Sequence, residues 1–251
     1  MKRLIMILWV MVIIAGCEQK PEPYFESLSS IRFRYRKTDA VTPVEVKTIN
    51  LSFGYIPENQ LLDTILLEIT YTGPLSDHDR VYKVEVADSA TIETGKTDME
   101  EGKDFESIAG EYVLRGGFWV DTLPVIVSRE YINPSFVKRE TKTLVLRLSV
   151  SDDFEKTVEK MNEIVITVNN YMGEPSWWGI RELNFYHPEK LKILQMLQPL
   201  LNNPNKLEIT MIELQGLAGV LASYLNENVV LDPETGQRIF IDRMEDYSSV
   251  E

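Results

Sequence analysis

One cysteine and two histidines limit the covalent and acid–base chemistry open to this sequence. The cysteine closes the stretch Ile14-Ala15-Gly16-Cys17, an apolar residue and two small ones before the thiol. That order is a lipobox. A lipid transferase alkylates the Cys17 sulfur with diacylglycerol. A peptidase that needs small residues around its cut removes what precedes the cysteine, and the new amino group is then acylated. Two or three acyl chains hold a protein on a bilayer where one is marginal. The preceding segment fits this chemistry: Lys2 and Arg3 make a basic start, and Leu4–Ile14 is an apolar run shorter than the ~20 residues of a spanning helix. The competing reading, a buried thiol in a short core helix, leaves the basic start and the small-residue exit unexplained. With Cys17 used as an anchor, no thiol is left for redox chemistry.

The histidines point away from catalysis. His78 sits in Ser76-Asp77-His78-Asp79-Arg80, a polar turn, and His187 precedes Pro188 at a helix start, where it reads as a cap or a surface residue. Neither belongs to an H-E-x-x-H or Cys/His pattern, and no G-x-S-x-G elbow or phosphate-cradling glycine loop is present. Carboxylate pairs of the glycosidase kind arise by chance in so acidic a chain, so they carry no signal. The sequence therefore predicts no catalytic residue and no enzyme. Binding is the chemistry left, and Trp177 and Trp178 are its candidates. Adjacent tryptophans outside a strand point in different directions, so one could stack on a sugar. The plainer reading is that both seal a domain junction, which needs large apolar anchors. Phe118 and Trp119 follow Gly116-Gly117, which reads as a hairpin turn, and are expected to place one ring in the core and one on the surface.

The elements that must position these residues are mostly strands. Ile31, Phe33 and Tyr35 alternate with Arg32, Arg34 and Arg36, giving one apolar and one basic face. The same period of two runs through Val44–Phe53, Asp63–Thr72, Asp79–Asp88, Glu111–Leu114, Trp119–Ser128, Thr141–Phe154 and Asn162–Tyr171. About eight strands with no intervening helix predict a mainly β fold, an antiparallel immunoglobulin-like sandwich. After Tyr171 the period becomes helical. Pro188 to Leu201 reads as one helix with Pro188 in its first turn, Asn202–Asn205 breaks it, and a second starts at Thr210, where Glu213 has capping-box spacing. Gly216 and Gly219 cost helix propensity, which suggests close packing. Val229–Ile241 reads as a hairpin around Asp232–Gly236. The predicted organisation is a leader (1–16), a tether (17–29), a sandwich (30–172) and a small α+β module of two helices and a hairpin (173–251). Because the first helix is apolar on more than one side, the module is expected to dock on the sandwich.

The formal net charge of −13 becomes −15 once Lys2 and Arg3 leave with the leader. That excludes nucleic acid as a partner, since phosphate recognition needs basic patches, and argues against electrostatic adhesion to anionic lipid. The bilayer partner is reached through acylated Cys17 instead. With 44% hydrophobic residues and no cysteine left for disulfides, the fold must stand on packing.

Taken in order, "IRFRY", "LSFGYIP", "DHDRVYKVEV", "EGKDFE", "EYVLRGGFWVDTLPVIVSR", "TLVLRLSVSDDF", "PSWW" and "LDPETGQ" resemble a family of Bacteroidota lipoproteins of unknown function. Its members pair an immunoglobulin-like sandwich, similar to Calx-beta domains, with a small C-terminal helical module. The resemblance implies an outer-membrane lipoprotein on the cell surface or, failing that, facing the periplasm. It implies glycan capture beside SusC-like transporters and SusD-like binding proteins; the alternative is an adhesin-like or structural protein-interaction module. It also implies calcium as the one cofactor to test for, held by Glu101, Asp104, Asp152 and Asp153 in two acidic loops, against the plainer reading of solvated loop charges.

Overall fold

A computed structural model describes residues 29–37, 45–91, 93–202 and 209–247; Cys17, the apolar run and the tether before residue 29 lie outside the described residues. In chain order the strands are β1 (Ser30–Phe33), β2 (Arg36–Lys37), β3 (Glu45–Val46), β4 (Thr48–Ser52), β5 (Leu62–Thr72), β6 (Arg80–Ala87), β7 (Glu111–Leu114), β8 (Val120–Ser128), β9 (Thr141–Ser149), β10 (Lys156–Thr157) and β11 (Glu163–Asn169). They form two main sheets, β10-β1-β5-β8 and β4-β11-β9-β6-β7, with β2 and β3 paired apart. The alternation read from β1 holds: Ile31 and Phe33 are fully buried between the sheets while Arg32 and Arg34 face out. β9 and β11 depart from strict alternation because they lie inside the five-stranded sheet and are covered on both faces. Val145 and Val165 pack outward with Ala87, under the loop that carries Gly95.

Two expectations about the strands need correction. The sandwich is mixed, not antiparallel: β1 runs parallel to β10, and β4 runs parallel to β11. The N-terminal strand is split, one half in each sheet, so each half lies beside a later strand running the same way. A period of two carries no information on direction. Gly116-Gly117 is also not a hairpin turn. β7 pairs with β6 and β8 pairs with β5, so the loop crosses from one sheet to the other.

The C-terminal module contains α1 (Ile180–Leu183), α2 (Pro188–Leu197), a 3-10 turn (Pro199–Asn202), α3 (Met211–Glu227) and the paired strands β12 (Arg238–Ile239) and β13 (Met244–Glu245). α2 stops short of Leu201 because Pro199 bars helical backbone at Gln198, which adopts φ −133° and ψ 83°. The capping box forms as spaced, Thr210 and Glu213 each bonding the other's backbone. Gly216 and Gly219 do not pack closely on the described residues; a Cβ at either would meet none of their atoms within 4 Å. The module has its own core of Trp177, Trp178, Leu191, Leu194, Leu221 and Leu225. It docks on the end of the sandwich where β4 and β11 finish. Tyr186 Oη donates to Met172 O at 2.9 Å, Tyr55 Oη donates to Gly173 O, and Glu234 accepts from Ser135 Oγ and from Phe136 N. Gly54 permits the approach: any Cβ there would fall within 2.3 Å of the Tyr171 backbone.

Candidate functional site

Both tryptophans of the expected binding pair are buried, Trp177 at 8% exposure and Trp178 at 7%. Their ring centroids are 6.0 Å apart, and Trp178 meets Tyr186 edge-on at 5.0 Å while its Nε1 donates to Asn184 O at 2.9 Å. Both rings belong to the core of the module, so neither lies open to stack on a sugar. Beside them lies Lys190, which the helical pattern hid. Fully buried, its Nζ donates to Leu183 O, Phe185 O and Ile241 O at 2.8, 2.6 and 3.0 Å. Burial draws its pKa down to about 8. One ammonium thus ties α1, α2 and the C-terminal strands together.

The four acids of the expected calcium set are not brought together. Asp104 is fully buried and held by Lys142 Nζ at 2.7 and 2.8 Å, next to the first residue of β9. Asp153 lies past the last residue of β9, where its carboxylate accepts from Val81 N at 2.6 Å. At ~3.3 Å per residue, the nine residues of β9 set these two acids on the order of 30 Å apart. Glu101 accepts from Ser107 Oγ, and Asp152 is exposed. Among the described residues no group of three or more His, Cys, Asp or Glu could hold a metal ion.

The histidines behave as turn and cap. His78 is exposed beside Ser76 and Asp77. His187 accepts from Glu189 N at 3.2 Å through Nδ1, as the N-cap of α2, and its Nε2 lies 3.6 Å from Asp232 Oδ1.

The residues that do face solvent as a site are Phe118 and Trp119. Both are exposed, at 60% and 46%, where one ring was expected in the core. They sit at the end of the sandwich opposite the module, on the loop that crosses from β7 to β8. Three features fix that loop. Gly117 takes φ +80°, a conformation that suits glycine, and its N–H donates to Ser76 O at 2.7 Å. Gly116 N–H donates to Asp79 Oδ1 at 2.9 Å, and a Cβ on Gly116 would come within 2.6 Å of Asp77 O. Thr70 Oγ1 donates to Trp119 O at 2.8 Å.

Below the ledge lies a column of rings. Trp119 stacks on Tyr71 at 5.1 Å with 24° between planes, and the Arg80 guanidinium lies 4.1 Å from the Tyr71 centroid on the way to Phe154. Arg80 is itself buried and donates to Ser29 Oγ at 2.8 Å and Pro74 O at 3.2 Å. Trp119 is therefore held in place while much of its surface stays open to solvent. Asp121 borders the ledge on the inside, accepting from Tyr82 Oη at 2.7 Å; burial first, and that carboxylate second, raise the Tyr82 pKa. The available signal for this site was "RGGFWV": two glycines free to turn tightly, followed by two large rings.

Solved structures similar to the chain include a Bacteroides ovatus protein provisionally described as carbohydrate-binding, at 13% identity, covering 57% of this chain and 37% of that one with a TM-score of 0.40. Another is the Calx CBD1 domain in its apo form, at 14% identity, covering 57% of this chain and 97% of the domain with a TM-score of 0.35. A two-domain protein of unknown function from Bacteroides fragilis aligns at 12% identity over 66% of this chain and 58% of its own, with a TM-score of 0.36. No curated protein matches the sequence. The family described as "Domain of unknown function (DUF4843)" matches residues 25–196, which take in the sandwich, the Trp177-Trp178 turn and most of α2, and the chain belongs to it.

Proposed function

We propose that this is a non-enzymatic, lipid-anchored protein of the cell surface that captures saccharide beside a TonB-dependent importer. The observation that carries the saccharide reading is the ledge of Phe118 and Trp119, two adjacent exposed rings of which one is fixed on Tyr71. Aromatic faces stack on the C–H faces of sugars, and a ring already held in position loses little freedom on binding. The lipobox at Cys17 supports the anchor, and the ordered resemblance of the motifs supports the importer. The test is affinity electrophoresis through gels carrying soluble polysaccharides. Trp119→Ala is expected to weaken retardation about tenfold or more, ~1.4 kcal/mol, and Phe118→Ala less. Retardation unchanged in both variants would overturn the reading. A second reading, a module that binds protein, draws support from the outer side of α3, where Met211, Ile212 and Val220 are exposed at 61%, 81% and 42%.

A further inference from the structure

A cavity of about 770 Å³ lies beside β1, lined by Arg32 of that strand, by Arg34 just past it, and by Thr48 and Ile49 of β4. Its size lies within the range of small-molecule sites. It has a cause in the topology. β1 pairs with β5 only as far as Phe33↔Ile69, and Arg34 N donates to Glu68 O as the last rung. β5 continues to Leu62 with β8 on its other side. Leu66 and Leu67, on the part of β5 beyond the last of those pairs with β1, line the gap.

The basic half of the β1 alternation enters this gap. Arg34 is ion-paired with Glu68 at 3.3 Å, both half-exposed. Among the described residues Arg32 has no such carboxylate. Its Nη1 lies 3.2 Å from Met161 Sδ, a weak acceptor, and its buried Nε has no hydrogen-bond partner among the described residues. The wall around Arg32 is mixed, with Leu66 and Ile164 offering apolar surface and Thr122 a hydroxyl. A planar guanidinium matches a carboxylate with two parallel hydrogen bonds, and the apolar wall suits the body that carries it.

We propose that this cleft binds the carboxylate of an acidic saccharide, with the Arg32 guanidinium as its fork. The proposal rests on the saccharide reading above and adds the ligand class. Glu68 competes with the ligand for Arg34, so it sets the strength of the site.

The test is calorimetric titration of the full mature chain with trigalacturonate, with its methyl ester, and with inorganic sulfate as competitor. Trigalacturonate is expected to bind at least tenfold tighter than the ester. Arg32→Met should erase that ratio, and Glu68→Gln, which releases Arg34, should enlarge it. Trp119→Ala should weaken both saccharides and leave the ratio unchanged. Because Arg32 touches Met161, Arg32→Met could unfold the strand; Glu68→Gln then decides alone, since it removes only an exposed carboxylate. Equal affinity for acid and ester overturns the cleft and leaves the saccharide reading standing. Displacement by sulfate as readily as by galacturonate overturns the assignment to saccharide in favour of a bare anion site. No affinity for either saccharide overturns both readings.

Discussion

His187 caps α2 from a buried position, and that combination makes the docked module sensitive to acid. Its Nδ1 must be unprotonated to accept from Glu189 N, and burial lowers its pKa below the ordinary histidine value. Asp232 and Glu189 pull the other way, and Lys190 and Lys192 add to the lowering. Because the folded pKa is depressed, the unfolded chain takes up the proton first as pH falls. The stability from a neutral His187 is whole above pH ~6.5 and is lost progressively below it. Asp232 contributes a second step. Burial would raise its pKa, but the Thr235 hydroxyl, the Glu234 amide and His187 outweigh that and hold it low, so its share is lost only as pH falls below ~3.8. Urea midpoints should therefore drop between pH 7 and pH 5, and His187→Asn, which keeps a capping side chain, should flatten that slope. A slope unchanged by the substitution would assign the effect elsewhere. At this scale the sequence exposes residue types and conceals their surroundings. His187 next to Pro188 could be read as a cap because caps are local. Lys190, Asp104 and Glu163 could not be read as buried, since their partners at Ile241, Lys142 and Thr91 are far along the chain.

Periodicity located nearly every strand, and what it could not supply was direction and neighbour. The loop from β7 to β8 shows the consequence: a turn between two strands looks like a hairpin unless the strands belong to different sheets, and here they do. That error concealed the ledge, because a hairpin would have put one ring inside. Pro199 ends α2 by a rule that acts on its neighbour alone, and so was available from the sequence. The glycines of α3 were misjudged for another reason. Poor helix formers inside a helix suggest close contact, yet among the described residues nothing lies within 4 Å of where a Cβ of Gly216 or Gly219 would sit. With no native contact to disturb, alanine at either position should stabilise α3 by ~0.5–1 kcal/mol, by removing backbone freedom from the unfolded chain. Denaturant unfolding of Gly216→Ala and Gly219→Ala measures this. Destabilisation at both positions would mean that another part of the chain packs on that face.

At the scale of the whole molecule, the two ends of the sandwich have been given different tasks. The module closes the end where β4 and β11 finish. The ledge occupies the other end, and the chain enters there too, with Ser29 held by Arg80 under the same column of rings. Twelve peptide units separate Cys17 from Ser29, so an acyl anchor at Cys17 keeps the first strand within ~43 Å of the bilayer. On the proposed anchoring, the end that bears Phe118 and Trp119 is the end at which the tether from Cys17 joins the sandwich. The described contacts of the sandwich and module begin at residue 29. Cys17→Ala should move the protein from the membrane fraction to the soluble fraction while its melting temperature and its retardation in polysaccharide gels stay as in the parent. Capture by whole cells should then fall, since a soluble copy no longer holds ligand at the bilayer. If the variant stays with the membrane, the lipobox reading fails and another surface of the protein must hold it there.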